Sequence, residues 1–160
     1  MRILLETCIL LIVFLPFGFG LASWLIGKKS QSGRDGFALA AAFTELGLSL
    51  VLLTCTLKGF GPVAGEGSLI GKETFCFQLE GVFVSGISFQ TDGFRAVYAL
   101  VTALMWAFTT LFSMEYFKNE REHLNRYYAF VLMTLGATQG VMLSGDLITT
   151  YLFFELLSLT

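Results

Sequence analysis

The sequence is poor in charge. Only 14% of its 160 residues are charged, against about 25% in ordinary soluble domains, and the net charge of −2 gives no basic surface for nucleic acid. Two prolines exclude a Pro-rich linker, and three widely spaced cysteines support neither a disulfide scaffold nor a metal centre. What is abundant is apolar: 55% hydrophobic residues, 17 Phe and a mean hydropathy of +0.73 are typical of lipid-embedded helices.

Long apolar runs predict transmembrane helices, because a ~30 Å hydrocarbon core is crossed at ~1.5 Å per residue. The predicted spans are residues 3–26, 37–57, 94–114, 127–143 and 147–160. The fifth run is too short to cross, so the sequence predicts an all-α integral membrane protein with four complete transmembrane helices and a truncated fifth. We expect one membrane region that is the N-terminal portion of a longer protein. The first apolar run is too long for a cleaved signal peptide, which disfavours that alternative.

The connections predict the topology. The loops 27–36 and 115–126 each carry three basic residues, whereas the long loop 58–93 is acidic, so the two basic loops are assigned to the cytoplasmic side. This places the N-terminus outside, in a prokaryotic-type cell inner membrane. Residues 59–71 are predicted to be irregular. Within the outer loop, Phe75, Phe77 and Leu79 alternate with polar residues, as do Ile87 and Phe89, which predicts a β-hairpin between helices 2 and 3.

Two acids fall deep inside apolar spans. Glu155 lies ~13 Å along the fifth span and Glu45 lies ~12 Å along the second. A charge at such a depth costs at least about 2.5–3.5 kcal/mol, so these residues usually face protein or a water cavity. A carboxylate whose cationic partner can move makes a proton-loading switch; the alternative is a permanently protonated, hydrogen-bonded acid. Apart from Arg95 at an outer edge, no basic residue lies in an apolar span, so the cation must come from elsewhere.

A series of short motifs follows in order along the second half of the chain. They are Asp92-Gly93-Phe94, Phe112-Ser113-Met114-Glu115-Tyr116, Arg126-Tyr127-Tyr128, Ser144-Gly145-Asp146-Leu147 and Phe153-Phe154-Glu155-Leu156-Leu157-Ser158. This series resembles the antiporter-like membrane subunits of respiratory complex I, of Mrp-type sodium/proton antiporters and of membrane-bound group 4 hydrogenases. The resemblance is specific from Asp92 to Thr160. Before Asp92 it rests only on the order of elements, two spans followed by an outer hairpin loop.

The resemblance implies a fold of fourteen core helices with two inverted five-helix repeats. It implies that Glu155 is the fifth-helix glutamate that pairs with a seventh-helix lysine, and that Asp146 is the polar residue introducing the fifth helix. Arg126 and Tyr116 match positions flanking an inner loop, and Asp92 opens the third span. The family's lysines are absent from this chain, and Glu45 matches no family hallmark.

We therefore expect part of a proton- or sodium-translocating protein, with Glu155, and less directly Glu45 and Asp146, in proton translocation. No catalytic centre, cofactor or metal is expected on this chain. The expected partners are other membrane subunits of an oxidoreductase or antiporter complex, the lipid bilayer, and H⁺ or Na⁺. Two alternatives stay open: a small non-pumping scaffold protein from a split gene, and a membrane enzyme using the two glutamates as acid and base.

Overall fold

The computed structural model describes residues 2–28, 31–57, 75–79, 86–117 and 124–160. Within these ranges the chain forms five helices and one antiparallel pair of strands. They are α1 (Arg2–Gly27), α2 (Gln31–Leu57), β1 (Phe75–Leu79), β2 (Ile87–Thr91), α3 (Gly93–Tyr116), α4 (Leu124–Leu143) and α5 (Leu147–Leu159).

Three of these helices are long and apolar enough to cross a membrane: α1, α2 and α3. The α5 helix is a shorter apolar helix of 13 residues. The mostly helical membrane architecture is thus confirmed, whereas the count of four complete spans and a truncated fifth stays a prediction.

The α1 helix packs most extensively against α4 and α2. Glycines bring α1 and α4 close together. A Cβ placed on Gly20 would lie 2.9 Å from the carbonyl oxygen of Ala129, and one on Gly136 would lie 2.9 Å from that of Val13. Small residues at helix contacts are the usual means of close packing in membranes, where no hydrophobic effect draws the helices together.

The α3 helix has a small buried face and a bulky exposed face. Its buried residues are all small, namely Ala96, Ala99, Ala103, Ala107, Thr110 and Ser113. Across the seam to α4, the Trp106 indole donates a hydrogen bond of 2.9 Å to the carbonyl oxygen of Val131. The opposite face carries large exposed side chains, among them Met105, Phe108 and Phe112. Such a face suits lipid or another apolar helix.

At one end of the bundle, Arg34 is buried although it is charged. It forms an ion pair with Asp35 at 2.7 Å, donates to the side chain of Asn125 and lies over the Tyr128 ring. Because the fold supplies these partners, α2 begins at Gln31, before the predicted start of the span at residue 37. The contact also places the starts of α2 and α4 at the same end of the bundle, in keeping with the prediction that the two basic loops lie on one side.

At the other end lies the hairpin, and its two predicted strands are confirmed. The strands β1 and β2 pair in antiparallel fashion, with Phe77 opposite Phe89. The Phe89 ring is fully buried between Phe14 of α1 and Phe153 of α5, at centroid distances of 6.5 and 5.9 Å. The turn of the hairpin and the Gly-rich residues 59–71 lie outside the described residues.

Candidate functional site

Glu155 lies on the outer face of α5. Its side chain is exposed, and Tyr151 lies one helical turn earlier, where its hydroxyl interacts electrostatically with the Glu155 carboxylate. The neighbouring Tyr151 and Phe154 are 64% and 59% exposed. Among the described residues no basic side chain pairs with Glu155. The carboxylate therefore lies in the middle of an apolar helix, on a face that the rest of the described chain does not cover.

Glu45 occupies the opposite environment. Its side chain is fully buried inside the bundle, and neither carboxylate oxygen has a hydrogen-bond partner among the described residues. The thiol of Cys8 on α1 lies close enough to Glu45 to interact with it electrostatically. That thiol is also 3.9 Å from the carbonyl oxygen of Leu48.

Two further polar side chains are buried about one helical turn from Glu45, and neither was predicted from the sequence. Ser49 follows Glu45 by one turn of α2, and Gln139 lies on α4; both are fully buried. Gln139 donates from Nε2 to the carbonyl oxygen of Ala99 at 3.0 Å, while its Oε1 has no partner among the described residues. An amide in the middle of the apolar run of α4 is the signal that could have found Gln139, since polar side chains in spans usually bond between helices.

The helix register gives the depth of the two acids. On α4, Gly140 packs against the Phe153 ring of α5, so Glu155 lies at about the level of Thr138. Ala38 of α2 and Tyr128 of α4 belong to one buried cluster, and two turns further along α2 Glu45 lies about one turn from the level of Thr138. The two acids are thus at similar depth but face different surroundings.

Asp92 and Asp146 are helix caps at the hairpin end. The Asp92 carboxylate accepts from the backbone N–H of Arg95, and the Asp146 carboxylate from that of Thr149, each at 2.7 Å. The hydrogen bond from the Thr149 backbone lowers the pKa of Asp146 below its ordinary value. These contacts satisfy free N–H groups at the first turns of α3 and α5.

The two caps line one open groove of about 670 Å³. In the same groove the Arg95 guanidinium donates to the carbonyl oxygen of Ser144, the residue that also bridges to Phe89 of the hairpin. The structure thus gives Asp92 and Asp146 a structural role at the hairpin ends of their helices; the predicted role of Asp146 in proton translocation stays a prediction.

Tyr116 and Arg126 flank residues 118–123, which lie outside the described residues. Tyr116 is 67% exposed and stacks on Phe112 of the preceding turn, with centroids 5.8 Å apart. Arg126 is exposed in the first turn of α4. Both lie at the end of the bundle that carries Arg34.

Comparison with known proteins finds antiporter subunits. The chain is 40% identical over 76 residues to a Na⁺/H⁺ antiporter subunit of Alkalihalophilus pseudofirmus, a match that covers 46% of this chain and 9% of that protein. It is 36% identical over 90 residues to the corresponding antiporter subunit of Bacillus subtilis, covering 55% of this chain and 11% of that protein. The matches thus cover only about a tenth of the length of these relatives. No protein-family profile matches the chain.

Among solved structures, the chain resembles a chain of the membrane-bound sulfane sulfur reductase, an archaeal respiratory membrane complex. The TM-score is 0.71 at 17% identity, over 94% of this chain and 28% of that one. The homologues are therefore Mrp-type antiporter subunits and the structural neighbour belongs to a membrane-bound respiratory complex, which confirms the resemblance to the antiporter-like family.

Proposed function

We propose that this chain is the N-terminal part of a proton- or sodium-translocating antiporter-like subunit of an energy-converting membrane complex, and that Glu155 is its protonatable intramembrane carboxylate. The observation that carries the proposal is the position of Glu155, an acid exposed on the outer face of α5 with the Tyr151 side chain beside it. The similarity to Na⁺/H⁺ antiporter subunits supports the ion-transport class.

The energetics of the exposed acid support a protein-covered face. A carboxylate turned toward hydrocarbon at this depth costs at least about 2.5–3.5 kcal/mol, whereas one that faces protein or water escapes much of that penalty. In the proposal, helices outside the described residues, from the same protein or a partner, cover α5. The family resemblance implies that they bring a lysine to Glu155.

A mobile cation would make Glu155 a switch. With the cation beside it, the carboxylate is stabilised in its charged form, and when the cation moves away the acid takes up a proton. The Tyr151 hydroxyl then has two roles. It holds the carboxylate in one rotamer, and it provides a donor that remains when the cation leaves.

The proposal also covers orientation. The end of the bundle that carries Arg34 and Arg126 faces the cytoplasm, and the hairpin end faces outward, because basic residues near span ends favour the cytoplasmic side. The chain would then lie in the inner membrane with its N-terminus outside, beside other membrane subunits of the complex. The multisubunit nature of the structural neighbour supports such partners.

The test is ion flux by the natural complex in sealed proteoliposomes, with a pH-sensitive dye inside and Na⁺ either present or replaced by K⁺. We expect Glu155→Gln to reduce proton translocation at least about tenfold, which corresponds to about 1.4 kcal/mol, while the complex still assembles. The matched control is Glu115→Gln, the same change at an exposed acid near the end of α3.

Unchanged flux in Glu155→Gln would refute the role of Glu155 and favour the scaffold alternative. Dependence of the wild-type flux on Na⁺ distinguishes the two transported ions.

A further inference from the structure

A second set of buried polar atoms lies inside the bundle, away from the face that carries Glu155. Three fully buried side chains form this set, which we call the Glu45 cluster: Glu45, Ser49 and Gln139. Four of their oxygen atoms have no hydrogen-bond partner among the described residues: both carboxylate oxygens of Glu45, the Ser49 hydroxyl and Oε1 of Gln139. Buried polar groups are nearly always hydrogen-bonded, so this concentration of unpaired oxygens requires an explanation.

Helix register brings the three side chains within about one helical turn of one another. Near the Arg34 end of the bundle, Ala38 and Ala41 of α2 share one buried cluster with Tyr128 and Leu132 of α4. Continuing both helices in parallel by about two to three turns brings Ser49 to the level of Gln139, with Glu45 one turn below.

The amide of Gln139 is fixed in this space. Its Nε2 donates to the Ala99 carbonyl on α3, so the amide lies at the contact between α4 and α3 and its free oxygen is buried there. The α2 helix packs closely against α3 as well as contacting α4, which encloses the cluster on those sides.

No charged side chain among the described residues pairs with the Glu45 cluster. On α1 the titratable group that interacts with Glu45 is the Cys8 thiol, which also interacts with Cys55 of α2. Glu6 of α1 lines a groove beside the hairpin strands instead.

The remaining charges on the packed helices lie at their ends. Arg34 and Asp35 pair with each other near the start of α2, about three turns from Glu45. Arg95 and Arg126 lie in the first turns of α3 and α4. A charged Glu45 would therefore be buried without a counter-ion among the described residues, which is the costly state for a carboxylate.

We propose that the Glu45 cluster is a second intramembrane proton site, in which Glu45 carries the proton and a bound water bridges its carboxyl group to Ser49 and Gln139. The neutral acid avoids burying a charge. A buried water needs two to four polar partners, and the three side chains provide them. The site goes beyond the role proposed for Glu155 and does not depend on it.

The test is infrared spectroscopy of the natural full-length protein in lipid, because a protonated carboxylic acid has a carbonyl band distinct from that of a carboxylate. We expect a protonated-acid band at neutral pH that moves on exchange into D₂O and is lost in Glu45→Gln. Ser49→Ala, which nearly keeps the shape of the site, should shift the band because the water loses one partner. The matched control is Thr54→Ala, a hydroxyl on the same helix that bonds to its own backbone.

Each outcome decides the proposal. A band that persists in Glu45→Gln, or that Ser49→Ala leaves in place, would overturn it. Loss of the wild-type band on adding Na⁺ but not K⁺ would also overturn it, in favour of a cation held by the same oxygen atoms. Glu155→Gln should leave the band unchanged, so failure here is distinguishable from failure of the ion-flux test. If Glu45→Gln does not fold, Ser49→Ala still provides the decisive measurement.

Discussion

A single methyl group added at Gly20 should loosen the seam between α1 and α4. The new Cβ would lie 2.9 Å from the carbonyl oxygen of Ala129 and 3.0 Å from Cγ of Met133. The Met133 side chain can move aside, but the carbonyl oxygen is part of the α4 backbone. The two helices must therefore separate, and overpacking of this kind costs about 1–3 kcal/mol.

Gly18 provides the matched control, because it lies on the same helix and a Cβ there meets nothing within 4 Å. Both Gly→Ala changes gain the same helix propensity, about 0.5–1 kcal/mol, which cancels when the two variants are compared. Gly20→Ala should therefore be about 1–3 kcal/mol less stable than Gly18→Ala.

The assay is reversible unfolding of the natural full-length protein in mixed micelles at increasing denaturing-detergent fraction, followed by tryptophan fluorescence. Equal midpoints for the two variants would contradict the close approach of α1 and α4 at Gly20. A lower midpoint for Gly18→Ala would show that its open face is covered in the intact protein.

Two further predictions concern the hairpin end. The pKa of Asp146 is lower in the folded protein than in the unfolded chain. Its cap therefore stabilises α5 fully above the unfolded-state pKa of about 4, and this stabilisation is lost as the pH falls through the folded-state pKa. Asp146→Asn should remove this pH dependence from the unfolding midpoint. Phe89→Ala should lower the free energy of unfolding by about 3–5 kcal/mol, because the ring is fully buried, and should raise the hydrogen-exchange rates of the β1–β2 amides. Unchanged exchange rates would argue against the packing of Phe89 between α1 and α5.

The hairpin and the helix caps could be predicted from local patterns alone. Strict alternation from Phe75 to Leu79 and from Ile87 onward requires only that one face of each strand be buried. Asp92 and Asp146 each precede an apolar run, which is the usual position of a helix cap. The family resemblance alone gives Asp146 a place in proton translocation, and the structure adds a capping contact that the resemblance does not contain.

Local patterns could not predict where α2 begins, or whether Glu45 and Glu155 face into the bundle or away from it. Hydropathy excludes Arg34 from the span, and only the tertiary fold brings Asn125 to that end of the helix. Glu45 and Glu155 look alike in sequence, as single acids in apolar runs. Which of them turns inward depends on the neighbours of α2 and α5, and Gln139 becomes significant only once Glu45 is seen about one turn from its level.

The buried Phe89 ring has a mechanical consequence. It touches both Phe14 and Phe153, while the carbonyl oxygen of Ser88 accepts from the Gly145 backbone N–H at 2.8 Å and the Ser88 N–H donates to the Thr149 hydroxyl at 3.0 Å. The hairpin is thus attached to the first turn of α5 and can transmit force to it. Because the hairpin holds both the first turn of α5 and the Phe153 ring, a change that displaced the strands would move the helix that carries Glu155.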